Sequence, residues 1–99
     1  MTLIFYRTKD GRADYGFSFE SHSNGTWRAY VESMPSYGSR NTGAATTHRL
    51  SEGGRTFVCW SDPLRSEENA RQVAKRWADM TQVYIRTGVT IDEQARKRW

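Results

Sequence analysis

The chain has 99 residues, with 15 Lys and Arg against 11 Asp and Glu, and thirteen aromatic rings. A chain of this length buries about 65% of its unfolded surface in one modest core, and it has no run of about 18 apolar residues to span a membrane. Its single cysteine, Cys59, excludes an intrachain disulfide and a Cys-rich zinc site.

One domain over residues 1–99 is therefore expected. With no leader-like start, the expected setting is cytoplasmic, without metal or cofactor.

Residues 3–7 alternate Leu3, Phe5 and Arg7 against Ile4 and Tyr6, which predicts a strand with two largely apolar faces. Asp10-Gly11 is a hairpin turn signal. Tyr15, Phe17 and Phe19 then alternate with Gly16, Ser18 and Glu20, a half-buried strand. After a second turn at Ser23-Asn24-Gly25, residues 26–32 give a third strand. In it Trp27, Ala29 and Val31 oppose Arg28, Tyr30 and Glu32. Three strands joined by short turns predict an antiparallel meander.

Residues 33–46 follow, rich in Ser, Thr, Gly and Asn, and without periodicity. A loop this long is functional or mobile, which makes Tyr37, Arg40 and Asn41, with nearby His48, its candidate site residues. The backbone N–H groups of residues 38–43 could face a phosphate, although the Lys and following helix of a P-loop are missing. Residues 47–50 read as a short strand and 51–54 as a turn. Residues 55–60 read as a last strand, with Phe57 and Cys59 opposing Val58 and Trp60.

Residues 66–88 carry the strongest pattern. Ala70, Val73, Ala74, Trp77, Met80, Thr81, Tyr84 and Ile85 repeat at helical spacing, with Arg71, Gln72, Lys75, Asp79, Gln82 and Arg86 opposite. Ser66 is a good N-cap, Glu67 and Glu68 suit the helix dipole, and Gly88 can end the helix. Glu67–Arg71 and Lys75–Asp79 are spaced to pair. Thr90 to Glu93 fits a capping box for a short second helix reaching about Arg98, with Ile91, Ala95 and Trp99 on one face. The expected fold is α+β: an antiparallel meander of about five strands with the long C-terminal helix packed on one face.

Chemistry is sparse. His48 and Cys59 could pair as base and nucleophile only if the fold joined them, and a strand cysteine is more often buried and inert. His22 and His48 lack metal-ligand spacing.

The junction Val58-Cys59-Trp60-Ser61-Asp62-Pro63-Leu64-Arg65-Ser66-Glu67-Glu68-Asn69-Ala70 resembles the last-strand-to-helix step of plant AP2-type domains and of the arm-binding domains of tyrosine recombinases. Gly25-Thr26-Trp27-Arg28-Ala29-Tyr30-Val31 is similar to their first strand. The resemblance is confined to these two segments. It implies a sheet face, turned away from the helix and carrying Arg28 and Tyr30, that meets DNA.

Strand alternation places Trp27, Ala29 and Val31 under the helix with Tyr15, Phe17, Phe19 and Phe57. The far face would then carry Tyr6, Ser18, Arg28, Tyr30, Arg49 and Trp60, joined by Ile4 and Val58. Arg28, Tyr30, Arg49, Trp60 and Tyr6 are the candidate binding residues. Arginine and aromatic groups in one patch suit a protein hot spot or homodimer face. The leading expectation is thus a non-enzymatic binding module with a protein or self partner and no membrane partner. A nucleic-acid-binding sheet face is the alternative. A small enzyme or ligand-binding domain using residues 33–49 is the second alternative.

Overall fold

Two tight turns fold the N-terminal third into a meander in the computed structural model, which describes residues 3–97. Strands β1 (Ile4–Arg7), β2 (Asp14–Ser21) and β3 (Trp27–Ser33) pair antiparallel in chain order. Gly11 and Gly25 hold φ of 71° and 82° at the turns, where a side chain would be strained. Tyr6 lies opposite Tyr15, and Phe17 opposite Val31, with a register shift at Gly16 and Phe17. A Cβ on Gly16 would come within 2.6 Å of Ser33 Oγ and 3.0 Å of the Phe5 ring, so a larger residue here would have to push both side chains aside.

The last hairpin departs from chain order. A four-residue helix, α1 (Ala44–Thr47), precedes β4 (Arg49–Glu52) and β5 (Arg55–Val58). The sheet order is β1-β2-β3-β5-β4, so β5 and not β4 is the neighbour of β3. The expected meander in chain order is corrected at this step. The segment from 33 to 48 is long enough to carry the chain past one strand position, and β5 returns antiparallel between β3 and β4. Strand β4 also starts two residues later than expected. Thr47 still belongs to α1, and His48 ends that helix in the left-handed region at φ 53°.

Helix α2 (Glu67–Thr87) has the expected ends. Ser66 Oγ accepts the Asn69 N–H at 3.0 Å, and Gly88, at φ 82°, donates its N–H to the Tyr84 carbonyl. Its small residues Ala70, Ala74 and Ala78 are essentially inaccessible and let the helix lie close on the sheet. Trp77 is fully buried, edge-on to Tyr15 at 6.0 Å and to Phe17 at 6.1 Å. One residue leaves its expected face: Gln82 is buried, because its Oε1 accepts the Tyr15 hydroxyl at 3.2 Å.

Helix α3 (Ile91–Lys97) begins at the expected capping box, with Thr90 N–H donating to Glu93 Oε1 and Glu93 N–H to Thr90 Oγ1. Ile91 is buried, and Gln94 Nε2 donates to the Met80 and Val89 carbonyls, tying α3 to α2. The expected places of Arg98 and Trp99 lie outside the described residues. Among those described, no helix is long and apolar enough to cross a membrane.

The tyrosines under α2 give the fold an alkaline limit. Burial, with help from the Asp79 carboxylate that its hydroxyl meets, pushes Tyr6 up to about 12. Burial also raises Tyr15 and Tyr37. Unfolded tyrosine ionises near pH ~10, so a raised folded value stabilises the fold below that pH. The contribution is lost as pH rises from there through the folded values. The denaturant midpoint should therefore hold up to pH ~10 and fall between ~10 and ~12, with the phenolate absorbance band rising on unfolding. A midpoint flat across that window would contradict the burial of the Tyr15 and Tyr37 hydroxyls and the hold of Asp79 on Tyr6.

Candidate interface on the open sheet face

All of α2's strand contacts lie on one side, so alternation assigns every strand residue to a near or a far face. The far face carries Phe5 and Arg7 on β1, Asp14, Gly16, Ser18 and Glu20 on β2, and Arg28, Tyr30 and Glu32 on β3. Arg55 and Phe57 on β5 and Leu50 and Glu52 on β4 complete it. No helix among the described residues covers it.

At its centre two rings meet, Tyr30 and Phe57, with centroids 5.9 Å apart. Each is roofed by a guanidinium: Arg55 Cζ lies 3.7 Å over Tyr30, and Arg28 Cζ lies 4.1 Å over Phe57. This explains why Tyr30 is only 5% exposed on a face without a covering layer.

The two guanidinium groups are in turn held by carboxylates. Arg55 reaches Glu20 at 2.7 Å and Glu32 at 3.5 Å, and Arg28 reaches Glu52 at 2.7 Å. The Ser18 hydroxyl donates to Glu32. Hydrogen bonding to Glu20 raises Arg55, hydrogen bonding to Glu52 raises Arg28, and Arg28 holds the Glu52 carboxyl below its usual range. At the β1 edge, Arg7 grips Asp14 with two hydrogen bonds of 3.1 and 2.9 Å. Each solvent-facing pair contributes little on its own, as does each exposed cation–ring contact. Together they set the character of the face: three arginines against four carboxylates, every arginine engaged.

Apolar surface is confined to the rims. Leu3, Phe5 and Leu50 are the large hydrophobic residues exposed among those described, at 49%, 62% and 44%. Phe5 lies over Gly16 at the β1 edge, and Leu50 lies beside Phe57 on the opposite edge strand.

Of the candidates read from the sequence, Arg28 and Tyr30 do occupy this face, as the resemblance also implies. Tyr6, Arg49 and Trp60 do not, and their expected far-face position is corrected. Tyr6 pairs with Tyr15 and donates its hydroxyl to Asp79 on α2 at 2.7 Å. Arg49 pairs with Val58, which is buried under the helix, and stacks on Tyr37 at 4.7 Å. Trp60 follows the end of β5, packs against the core and lies under Arg76 at 5.9 Å. Ile4 and Val58 are on the helix side for the same reason, and Phe57 is on the far side, the reverse of expectation. Both faces of β1 and of β5 are apolar, so alternation alone left their phase open. One signal was present: Arg55 shares its phase with Phe57, and a charged residue marks the solvent side of a strand.

The loop candidates are tied to α2. Tyr37 is buried against Tyr84, with ring centroids 6.1 Å apart. Arg40 Nε donates to the Ile85 carbonyl at 3.3 Å, and the Asn41 carbonyl accepts the Tyr84 hydroxyl at 2.7 Å. Trp77 Nε1 donates to the Thr47 carbonyl at 2.9 Å. The segment read from the sequence as functional or mobile thus has four ties to α2. Three of the six N–H groups expected to face a phosphate are engaged within the loop: Gly38 donates to Ser36, Arg40 to Tyr37 and Gly43 to Asn41. Behind Tyr37 its hydroxyl and that of Thr81 approach each other, both buried and without hydrogen-bond geometry.

His48 turns its Nε2 to Asp92 on α3 at 2.8 Å. It meets Cys59 through a backbone bond, Cys59 N–H to His48 carbonyl at 2.8 Å. Cys59 itself lines a notch with Leu50 and Phe57 on the other side of the sheet. The fold does not aim the imidazole at the thiol. Among the described residues no group of three His, Cys, Asp or Glu is placed to hold a metal ion. Comparison with protein-family models, with curated protein sequences and with solved structures finds no match to the chain.

Proposed function

We propose that this protein is a non-enzymatic binding module that associates with a second copy of itself through the open sheet face. The observation that carries the reading is where the exposed apolar residues lie. Phe5 and Leu50 sit on the two edge strands of a five-stranded sheet whose middle strand is β3. A twofold axis running along β3 lays the β1 edge of one copy over the β4 edge of the other. It brings Phe5 against the partner copy's apolar rim twice, as an isologous contact requires. Between the rims the charges are mixed and close to neutral, so two copies meet without a single-sign clash.

Phosphate is a poor fit to the same face. Its arginines are already paired, its charge is one unit negative, and Tyr30 and Phe57 are capped against stacking. Nucleic acid on this face would have to displace those carboxylates.

Size sets the strength. Five strands spaced about 4.8 Å apart and about 20 Å long offer on the order of 500 Å² per copy. That is below the ~800 Å² of a standard interface, so the expected association is weak and reversible, with Kd of ~10–1000 μM. Sedimentation velocity on the full chain, from micromolar to near-millimolar protein, should show a monomer–dimer equilibrium in this range. Phe5→Ser with Leu50→Ser should leave the melting temperature nearly unchanged and abolish the dimer. A wild-type chain that stays monomeric near ~1 mM, or a dimer that survives the double substitution, sinks the proposal.

A further inference from the structure

The far sheet face carries net −1 and holds none of the chain's excess charge of +4. The side with the outer face of α2 has the opposite character. Here Lys9, from the turn after β1, meets Gln72, Lys75 and Arg76 of α2 around a groove of about 360 Å³, with Tyr6 and Asp79 along it.

The expected Lys75–Asp79 ion pair is absent among the described residues. Asp79 turns instead to the β1 end, where Oδ2 accepts the Tyr6 hydroxyl at 2.7 Å and Oδ1 accepts the Lys9 backbone N–H at 2.9 Å. Among the described residues, three side-chain cations, Lys9, Lys75 and Arg76, therefore line the groove without a carboxylate partner, against one carboxylate whose oxygens both already accept hydrogen bonds. Among the described residues no large exposed hydrophobic lines this groove; Phe5 and Leu50 lie at the rims of the other side.

We infer that Lys9, Lys75 and Arg76 form a contact surface for the phosphate backbone of a nucleic-acid duplex. The assignment does not rest on the pairing of two copies, since it uses the other side of the molecule. Charge selects the ligand class: side-chain cations on a rigid helix, with Gln72 as a neutral donor among them, suit phosphate oxygens. The aromatic groups select the form. Proteins that hold single strands present open rings for base stacking. Here Lys75 Nζ sits 6.0 Å from the Tyr6 ring centre, Arg76 Cζ 5.9 Å from that of Trp60, and Arg71 Cζ 5.7 Å from that of Phe19. With the rings under cations, the surface offers point charges and no stacking platform. With no large exposed hydrophobic lining the groove among the described residues, an acyl-chain surface has nothing to bury there.

The test is fluorescence anisotropy of a labelled mixed-sequence duplex of about 20 base pairs titrated with the full chain at several salt concentrations. Three phosphate contacts predict a slope of log K against log salt of about −2.7, or about a 40-fold loss between ~50 and ~200 mM salt. Lys9→Gln, Lys75→Gln and Arg76→Gln should each flatten the slope by about 0.9, equally for unrelated sequences, while Lys75→Arg retains it. Circular dichroism confirms that each variant is folded. The inference is overturned by no binding at ~50 mM salt, or by a slope that none of the three substitutions changes. It is equally overturned if a single strand, polyglutamate or phosphatidylserine vesicles bind as tightly as the duplex.

Discussion

Trp77→Ala should lower the unfolding free energy by about 3–5 kcal/mol, out of a total of about 5–15 kcal/mol for a domain of this kind. The indole is fully buried and fills the space between Tyr15 and Phe17, and the neighbouring Ala70, Ala74 and Ala78 leave little side chain able to move into the cavity. It also holds the loop, because its Nε1 donates to the Thr47 carbonyl. Trp77→Phe separates the two roles. It keeps most of the ring and strands the Thr47 carbonyl, at about 1–3 kcal/mol. Urea unfolding followed by circular dichroism measures both. A loss under about 1.5 kcal/mol for the alanine variant would contradict the core described here.

The second large effect is at Tyr84. Tyr84→Ala should cost about 3 kcal/mol, since it removes a buried ring and the support under Tyr37. Tyr84→Phe should cost only about 1 kcal/mol, the hydrogen bond to the Asn41 carbonyl. Its main consequence is local. Amide exchange over residues 37–47 should accelerate in the phenylalanine variant while α2 and the central strands stay protected, as expected for a segment opening on its own. Fast exchange across that segment in the wild type would show that the four anchors do not hold it.

The long helix was legible almost residue by residue, because a 3.6-residue period sustained over twenty-one residues, with a Ser cap and a terminal Gly, leaves little freedom. Strands β2 and β3 were legible for a related reason: each alternates one apolar and one polar face, and the turns before them carry Gly. Legibility failed where both faces of a strand are apolar. On β1 and β5 a phase error of one residue exchanges the two sides, and it moved Tyr6, Trp60 and Phe57 to the wrong face. Strand order failed at the last hairpin, because nothing local to residues 49–58 says which of its strands will meet β3. That choice is made by the path of residues 33–48 over α2.

The candidate face was legible only in part. Arg28 and Tyr30 could be assigned from β3's clean alternation. Glu32 shares their phase on β3, but their other partners could not be assigned, since Glu20, Glu52 and Arg55 lie on other strands and become adjacent only through the register of the sheet. Such a lattice is also what turns an apparently basic, aromatic surface into a nearly neutral one. A count of arginines pointed towards phosphate on that face; the pairing of those arginines points away from it.

The measurement that bears most directly on self-association through the open sheet face is the concentration dependence of the protein's amide and aromatic NMR resonances, from dilute solution to near ~1 mM, since a contact of this size is weak. The account predicts progressive shifts at Phe5, Ser18, Arg28, Tyr30, Leu50 and Phe57, with the outer residues of α2 unmoved. Spectra that do not change with concentration, or shifts gathered on the α2 side instead, would contradict it.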